Sequence, residues 1–244
     1  MGLCLRALLL LAGGGACAGE ARFMQYPTIH RDRIVFTYEN DLWVVRARGG
    51  LARRLTGAPG TEHMARFSPD GKWIAFSANY EGPFAVYLMP AEGGEPVRLT
   101  YTPGDAQTVG WTPDGERIVF RSFMENFVQR DPNLYFVRRG GSAPERLPID
   151  RGGLCSFSPD GTRMLYSRRG HEEYQWKRYK GGRYCDIWMY DFAGHAFAPV
   201  SDYVGKNAYP MWVGGRMYFV SDRDGAANLY VQDLATKAIE RVTR

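Results

Sequence analysis

The sequence predicts an all-β fold, a β-propeller of four-stranded blades, on three observations. The phrase Ser68-Pro69-Asp70-Gly71 returns as Thr112-Pro113-Asp114-Gly115 and as Ser158-Pro159-Asp160-Gly161, with starts 44 and then 46 residues apart. Each copy leads into an apolar run: Trp73-Ile74-Ala75-Phe76, Ile118-Val119-Phe120 and Met164-Leu165-Tyr166. No stretch carries a convincing helical period. A turn signal followed by a strand, recurring about every 40 to 50 residues, is the pattern of propeller blades.

The phrase has the chemistry of a tight turn. Pro at its second position pre-sets φ for a type I turn, and Asp bonds back to the local backbone. Gly accepts the left-handed conformation that closes a strand pair with a bulge.

Five repeats follow in order. The first places an inner strand at Tyr26-Pro27-Thr28-Ile29, with Arg31-Asp32-Arg33 in place of the turn phrase. Its later strands are Ile34 to Tyr38, Asp41 to Val45 and Ala52 to Thr56. The second reads Ala65 to Phe67, Trp73 to Ser77, Ala85 to Met89 and Pro96 to Thr100. The third reads Val109 to Trp111, Arg117 to Phe120, Asn133 to Val137 and Glu145 to Pro148. The fourth reads Leu154 to Phe157, Arg163 to Ser167, Asp186 to Tyr190 and Ala198 to Ser201, with a long insertion from Arg168 to Cys185. The fifth reads Pro210 to Trp212, Arg216 to Val220, Asn228 to Val231 and Glu240 to Thr243. Five blades closing a ring and the front of a longer propeller both fit this count.

Composition agrees. A chain of 244 residues is enough for one large all-β domain, and 29 Gly and 14 Pro suit many short strands joined by turns. The net charge of +5 is spread along the chain, which reads as a solvated surface rather than a nucleic-acid footprint.

The start reads differently. Arg6 precedes the apolar run Ala7 to Ala12, and Ala16-Cys17-Ala18 offers a small-residue cleavage site. This predicts a secretory signal peptide over residues 1–18, a propeller domain over 19–244, and export to the periplasm without membrane insertion. A lipoprotein signal using Cys17 is the alternative. Of the cysteines left, Cys155 falls on a first strand and Cys185 at the start of a third strand of one blade. That separation is about 9–10 Å, too wide for a disulfide, so two buried free thiols are expected.

The repeats resemble those of TolB-like proteins, through the turn phrase, the Asp or Asn before an L-W/Y strand, and the closing R-L-T. Within that group the chain is most similar to the N-terminal propeller of tricorn-type proteases. The fourth repeat carries this resemblance: Gly153 to Gly161, then Gln175-Trp176-Lys177-Arg178-Tyr179-Lys180-Gly181-Gly182, then Asp186-Ile187-Trp188. The resemblance implies a six-bladed propeller followed by a seven-bladed one, a PDZ-like domain and a serine-peptidase core that cuts oligopeptides. It also implies propellers that gate peptides, and self-association. The family's catalytic residues have no counterpart in this sequence, and five repeats stand where the family has six, so the sequence reads as truncated.

No nucleophile elbow, zinc-protease, C-x-x-C, dinucleotide or P-loop motif occurs, and no cofactor is expected. His30, His63, His171 and His195 show no metal-ligand spacing, and Asp222, Asp224 and Asn228 read as a hairpin loop rather than a calcium loop. Two candidate surfaces remain. Residues expected just before the inner strands, ringing one mouth of the central channel, are Glu62, His63, Asp105, Gln107, Gly152, Gly153, Asn207 and Tyr209. They are the candidate peptide contacts. In the insertion, Trp176, Lys177, Arg178 and Tyr179 are the candidates for contact with a further domain of the same polypeptide. A TolB-like exported interaction scaffold without enzymatic activity is the alternative function.

Overall fold

A computed structural model of the chain describes residues 23–126, 131–173 and 178–244. The predicted signal peptide lies outside the described residues. Blade 1 consists of β1 (Gln25–His30), β2 (Arg33–Tyr38), β3 (Asp41–Arg46) and β4 (Arg53–Arg54). Blade 2 consists of β5 (Glu62–Phe67), β6 (Trp73–Ala78), β7 (Ala85–Pro90) and β8 (Val97–Arg98). Blade 3 consists of β9 (Ala106–Trp111), β10 (Arg117–Ser122), β11 (Asn133–Arg138) and β12 (Glu145–Arg146). Blade 4 consists of β13 (Cys155–Phe157), β14 (Arg163–Ser167), β15 (Ile187–Asp191) and β16 (Ala196–Pro199). Blade 5 consists of β17 (Asn207–Val213), β18 (Arg216–Ser221), β19 (Asn228–Asp233) and β20 (Ile239–Arg241). Each blade is an antiparallel meander in chain order.

The repeated turn forms as its residues dictate. In the first copy the Ser68 hydroxyl donates to Asp70 at 2.6 Å and accepts the N–H of Trp73 at 3.0 Å. The Lys72 N–H donates to the same carboxylate at 3.0 Å, and Gly71 sits at φ +70°. The second and third copies repeat this pattern with Thr112, Asp114 and Gly115, and with Ser158, Asp160 and Gly161.

The closing R-L-T phrase also has a structural cause. The hydroxyls of Thr56, Thr100 and Thr243 accept the N–H groups of Leu42, Val86 and Leu229, each in the third strand of the same blade, at 2.9 Å. The threonine side chain thus continues the ladder where the backbone leaves it, and the fourth strands of these three blades are shorter than the sequence reading.

The blades are joined by a main-chain relay. The N–H groups of Glu62, Ala106, Gly152 and Asn207 donate to the carbonyls of Asn40, Phe84, Pro132 and Cys185, at 2.7–2.9 Å. Each acceptor lies just before or near the start of the third strand of the preceding blade. Behind this belt an apolar cluster fills each of the four junctions. Leu42 and Ile74 meet between blades 1 and 2, and Leu88 and Phe120 between blades 2 and 3. Leu134 and Tyr166 meet between blades 3 and 4, and Leu165 and Phe219 between blades 4 and 5. Among the described residues no such cluster joins blade 5 to blade 1, where Ile29 and Val213 are each 60% exposed.

Three inner strands begin three residues earlier than the sequence reading put them, at Glu62, Ala106 and Asn207. The reason is a bulge in each: the register slips between His63 and Arg66, between Thr108 and Gly110, and between Ala208 and Met211. A bulge breaks the alternation by which a strand is recognised. Met64 and Tyr209 occupy the left-handed region at φ 55° and 58° within theirs.

Candidate functional site: a channel closed at one mouth

The first strands of all five blades line a central cavity of about 680 Å³. Residues gather at one mouth from every blade. The organising group is Arg121, the residue after the apolar run of β10. Its Nε donates to Gln107 at 2.8 Å, one Nη faces Glu172 at 3.5 Å and the other donates to Glu173 at 2.9 Å. Glu172 and Glu173 belong to the blade 4 insertion, and with them that insertion lies across the mouth as a strap. Tyr209 of blade 5 donates its hydroxyl to the Glu172 carbonyl at 3.2 Å. His63 of blade 2 stands between the rings of Tyr26 and Phe84, with centroids 5.6 and 4.3 Å away.

Electrostatics follow from this crowding. Glu172 is fully buried, and burial raises its pKa against the pull of Arg121. Its Oε1 accepts the N–H of Leu154 at 2.8 Å. The space it fills is left by Gly153, where a Cβ would collide with the carboxylate. His63 is held neutral: burial, with the Arg121 cation nearby, pushes its pKa down to about 4. Its Nδ1 is buried and has no hydrogen-bond partner among the described residues.

The predicted mouth residues therefore divide, and all except Asp105, Gly152 and Gly153 lie inside strands rather than before them. His63, Gln107, Gly153 and Tyr209 come together at the mouth. Asp105 stays on the exposed rim, where its carboxylate accepts the Phe84 N–H at 2.9 Å. Glu62 is turned away from the lumen. It is fully buried between blades 1 and 2, accepting from Leu42 N–H at 3.1 Å and from the hydroxyls of Thr56 and Tyr80. Asn207 is likewise buried, its amide bonded to the Tyr203 carbonyl at 2.9 Å, the Ser221 hydroxyl at 3.1 Å and Arg223 at 3.2 Å. Both sit at blade junctions, each where the main-chain relay enters the next blade.

Trp176 and Lys177 lie outside the described residues. The Arg178 N–H donates to Asp222 of blade 5 at 3.0 Å, and the exposed side chain reaches toward the Gly225 carbonyl. Tyr179 is half-buried. The Asp222 carboxylate is further occupied by the Lys206 N–H at 2.9 Å and the Tyr203 hydroxyl at 3.2 Å. Both cysteines are free, but Cys155 stands half-buried on the channel wall rather than in the core.

The opposite mouth is open and its wall is different. Arg66, Val109, Trp111, Leu154 and Trp212 contribute, with Gly110 facing open space. Sequence reasoning missed Arg66 and Arg121. The available signal was an arginine inside an otherwise apolar strand, in Ala65-Arg66-Phe67 and Phe120-Arg121-Ser122.

A family model described as the tricorn protease N-terminal β-propeller domain matches residues 21–244. The chain belongs to that family. It is 30% identical over 226 residues to a tricorn protease homolog of Saccharolobus solfataricus, a match covering 91% of this chain and 21% of the relative. A putative tricorn protease homolog 2 of Streptomyces coelicolor is 33% identical over 230 residues, covering 90% of this chain and 19% of the relative. The chain thus spans about a fifth of the length of these curated relatives. Among solved structures, the crystal structure of the tricorn protease superposes with a TM-score of 0.79 at 28% identity, over 92% of this chain and 23% of that one. A putative TolB from Agrobacterium tumefaciens gives 0.74 at 19% identity, over 90% and 80%. That second likeness is one of fold. In this tricorn-family propeller, Glu172 and Glu173 belong to the repeat that carried the sequence resemblance, while Arg121, which they meet, comes from blade 3.

Proposed function

We propose that this chain is the non-catalytic propeller segment of an exported tricorn-type serine peptidase, and that it gates or docks oligopeptides for a peptidase core. The observation that carries the reading is the channel: a lumen of about 680 Å³ lined by every blade, strapped at one mouth and open at the other. Such a shape admits an extended peptide from one side and meters its passage at the other. The peptidase reading draws on the tricorn relatives. The export reading draws on the Arg6, apolar run and Ala16-Cys17-Ala18 pattern at the N-terminus.

The test is cleavage of unstructured peptides by the complete polypeptide with and without a serine-directed inhibitor, before and after Gly110→Trp. Gly110 has no atom within 4 Å of a Cβ position and no positive φ, so the indole fills the lumen rather than the core. Inhibitor-sensitive cleavage that the plug slows supports the gate. Cleavage indifferent to the plug overturns it, and an inert product that captures an envelope protein supports the scaffold alternative. N-terminal sequencing of the periplasmic product tests export, with Gly19 expected as the first residue.

A further inference from the structure

The open half of the channel holds one charge and nothing to neutralise it. Among the described residues, Arg66 is the single charged side chain on the cavity wall. Its Nε donates to the Val109 carbonyl and one Nη to the Ala65 carbonyl, both at 2.9 Å. No carboxylate pairs with it among the described residues. Several other arginines have acidic partners: Arg33 has Glu92, Arg54 has Asp41, Arg98 has Glu81, Arg121 has Glu172 and Glu173, and Arg151 has Asp131. Arg66 is half-buried and lies on the wall of the lumen. The larger charge effect on it comes from another cation, Arg121, which adds repulsion.

A guanidinium does not escape this cost by losing its proton. Carbonyl oxygens satisfy two of its donors but leave the charge uncompensated on a largely apolar wall, where an anion would complete the site. The remaining Nη group offers the planar donors that suit a carboxylate. The rest of the wall states what else the ligand carries. Trp111, Trp212, Val109, Leu154 and Phe157 are apolar or aromatic, and no acidic side chain on the wall would repel an anion.

We infer that Arg66 and the apolar wall around it form a binding site for a carboxylate carried on an apolar peptide segment. The site takes the negative group against the free guanidinium face and lays the adjoining apolar side chain on the tryptophans. It rests on the reading of the channel as a peptide passage and adds the chemistry that passage selects. The carboxylate comes either from a peptide's C-terminus or from an acidic side chain within it.

The experiment uses the full chain and fluorescein-labelled tripeptides in carboxylate-free buffer: Phe-Leu-Phe as free acid, the same peptide as C-terminal amide, and Phe-Glu-Phe as amide. Fluorescence anisotropy is expected to show the free acid binding at least about tenfold more tightly than Phe-Leu-Phe amide, the scale of one buried charge-assisted contact. Arg66→Met is expected to abolish that preference, and Arg66→Lys to retain part of it. Binding of Phe-Glu-Phe amide at the free-acid level assigns the site to any peptide carboxylate, and its failure assigns it to chain ends. Equal binding of acid and amide by the unaltered chain overturns the carboxylate site while leaving the channel as a peptide passage. Absence of binding by all three overturns the site and removes the passage as well. The acid–amide comparison needs no variant, so misfolding of Arg66→Met does not decide it.

Discussion

Glu62, on the first strand of blade 2, accepts the backbone N–H of Leu42 in blade 1 at 3.1 Å, while the hydroxyl of Tyr80 holds its other carboxylate oxygen. One buried side chain therefore fastens two blades. Glu62→Ala leaves the Tyr80 hydroxyl without its acceptor and opens a void. The expected loss is about 2–3 kcal/mol in urea unfolding.

The same carboxylate gives a pH signature. Burial raises its pKa above the ordinary 4.5, against the lowering effect of its hydrogen bonds. The folded state thus binds the proton more tightly than the unfolded state. Its contribution is fullest at acid pH and is lost as pH rises from about 4.5 through the raised value. Glu62→Gln is expected to flatten that part of the stability profile, measured by thermal melts across pH 4 to 8.

His63 has the opposite sign. Its folded pKa is pushed from the ordinary 6.5 to about 4, so the unfolded chain takes up the proton first. Stability from this group is complete above pH 6.5 and drains as pH falls toward 4, by up to about 3 kcal/mol on linkage grounds. His63→Phe keeps the ring contacts with Tyr26 and Phe84 and is expected to remove the slope. A variant that keeps the full slope would place the titrating group elsewhere.

Gly153 leaves room for the Glu172 carboxylate. Gly153→Ala is expected to push Glu172 off the Leu154 N–H and weaken its approach to Arg121. The readout is faster limited proteolysis within the strap at little cost to the global melting temperature. A strap that stays protected would show that Arg121 and Tyr209 hold it without Glu172.

Cys155 faces the lumen, yet burial pushes its thiol up to about 12. At pH 8 about one part in ten thousand is thiolate. Ellman's reagent is expected to leave Cys155 and Cys185 unmodified in the native chain and to count both in urea. Rapid native modification of one thiol would show a lower pKa at Cys155 than burial dictates.

The blades were legible because their signals are local. Ser68 to Gly71 and its copies carry all the hydrogen-bonding groups of the turn within six residues, and the threonines of R-L-T act within their own blade. The mouth was half legible. His63, Gln107 and Tyr209 were found from their position ahead of the recognisable strands, but Glu62 and Asn207 share that position and face the junction. Side-chain direction there depends on bulges at Met64 and Tyr209, which no alternation pattern announces. Arg121 and Arg66 were hidden because an arginine within a short strand reads as a solvated face. Their partners, Glu172 at 51 positions along the chain and Val109 at 43, come near only when neighbouring blades pack.

The relay from Glu62 to Asn40, repeated by Ala106, Gly152 and Asn207, uses only N–H and C=O. Any amino acid except proline supplies the donor, and every residue supplies the acceptor. A blade thus presents the same coupling to whichever neighbour precedes it, whatever side chains it bears. Duplicating, deleting or exchanging a whole repeat leaves that coupling intact and disturbs only the apolar filling behind it. The architecture is modular at the level of the peptide bond, which lets the lining of the lumen diversify while the ring's joints stay the same.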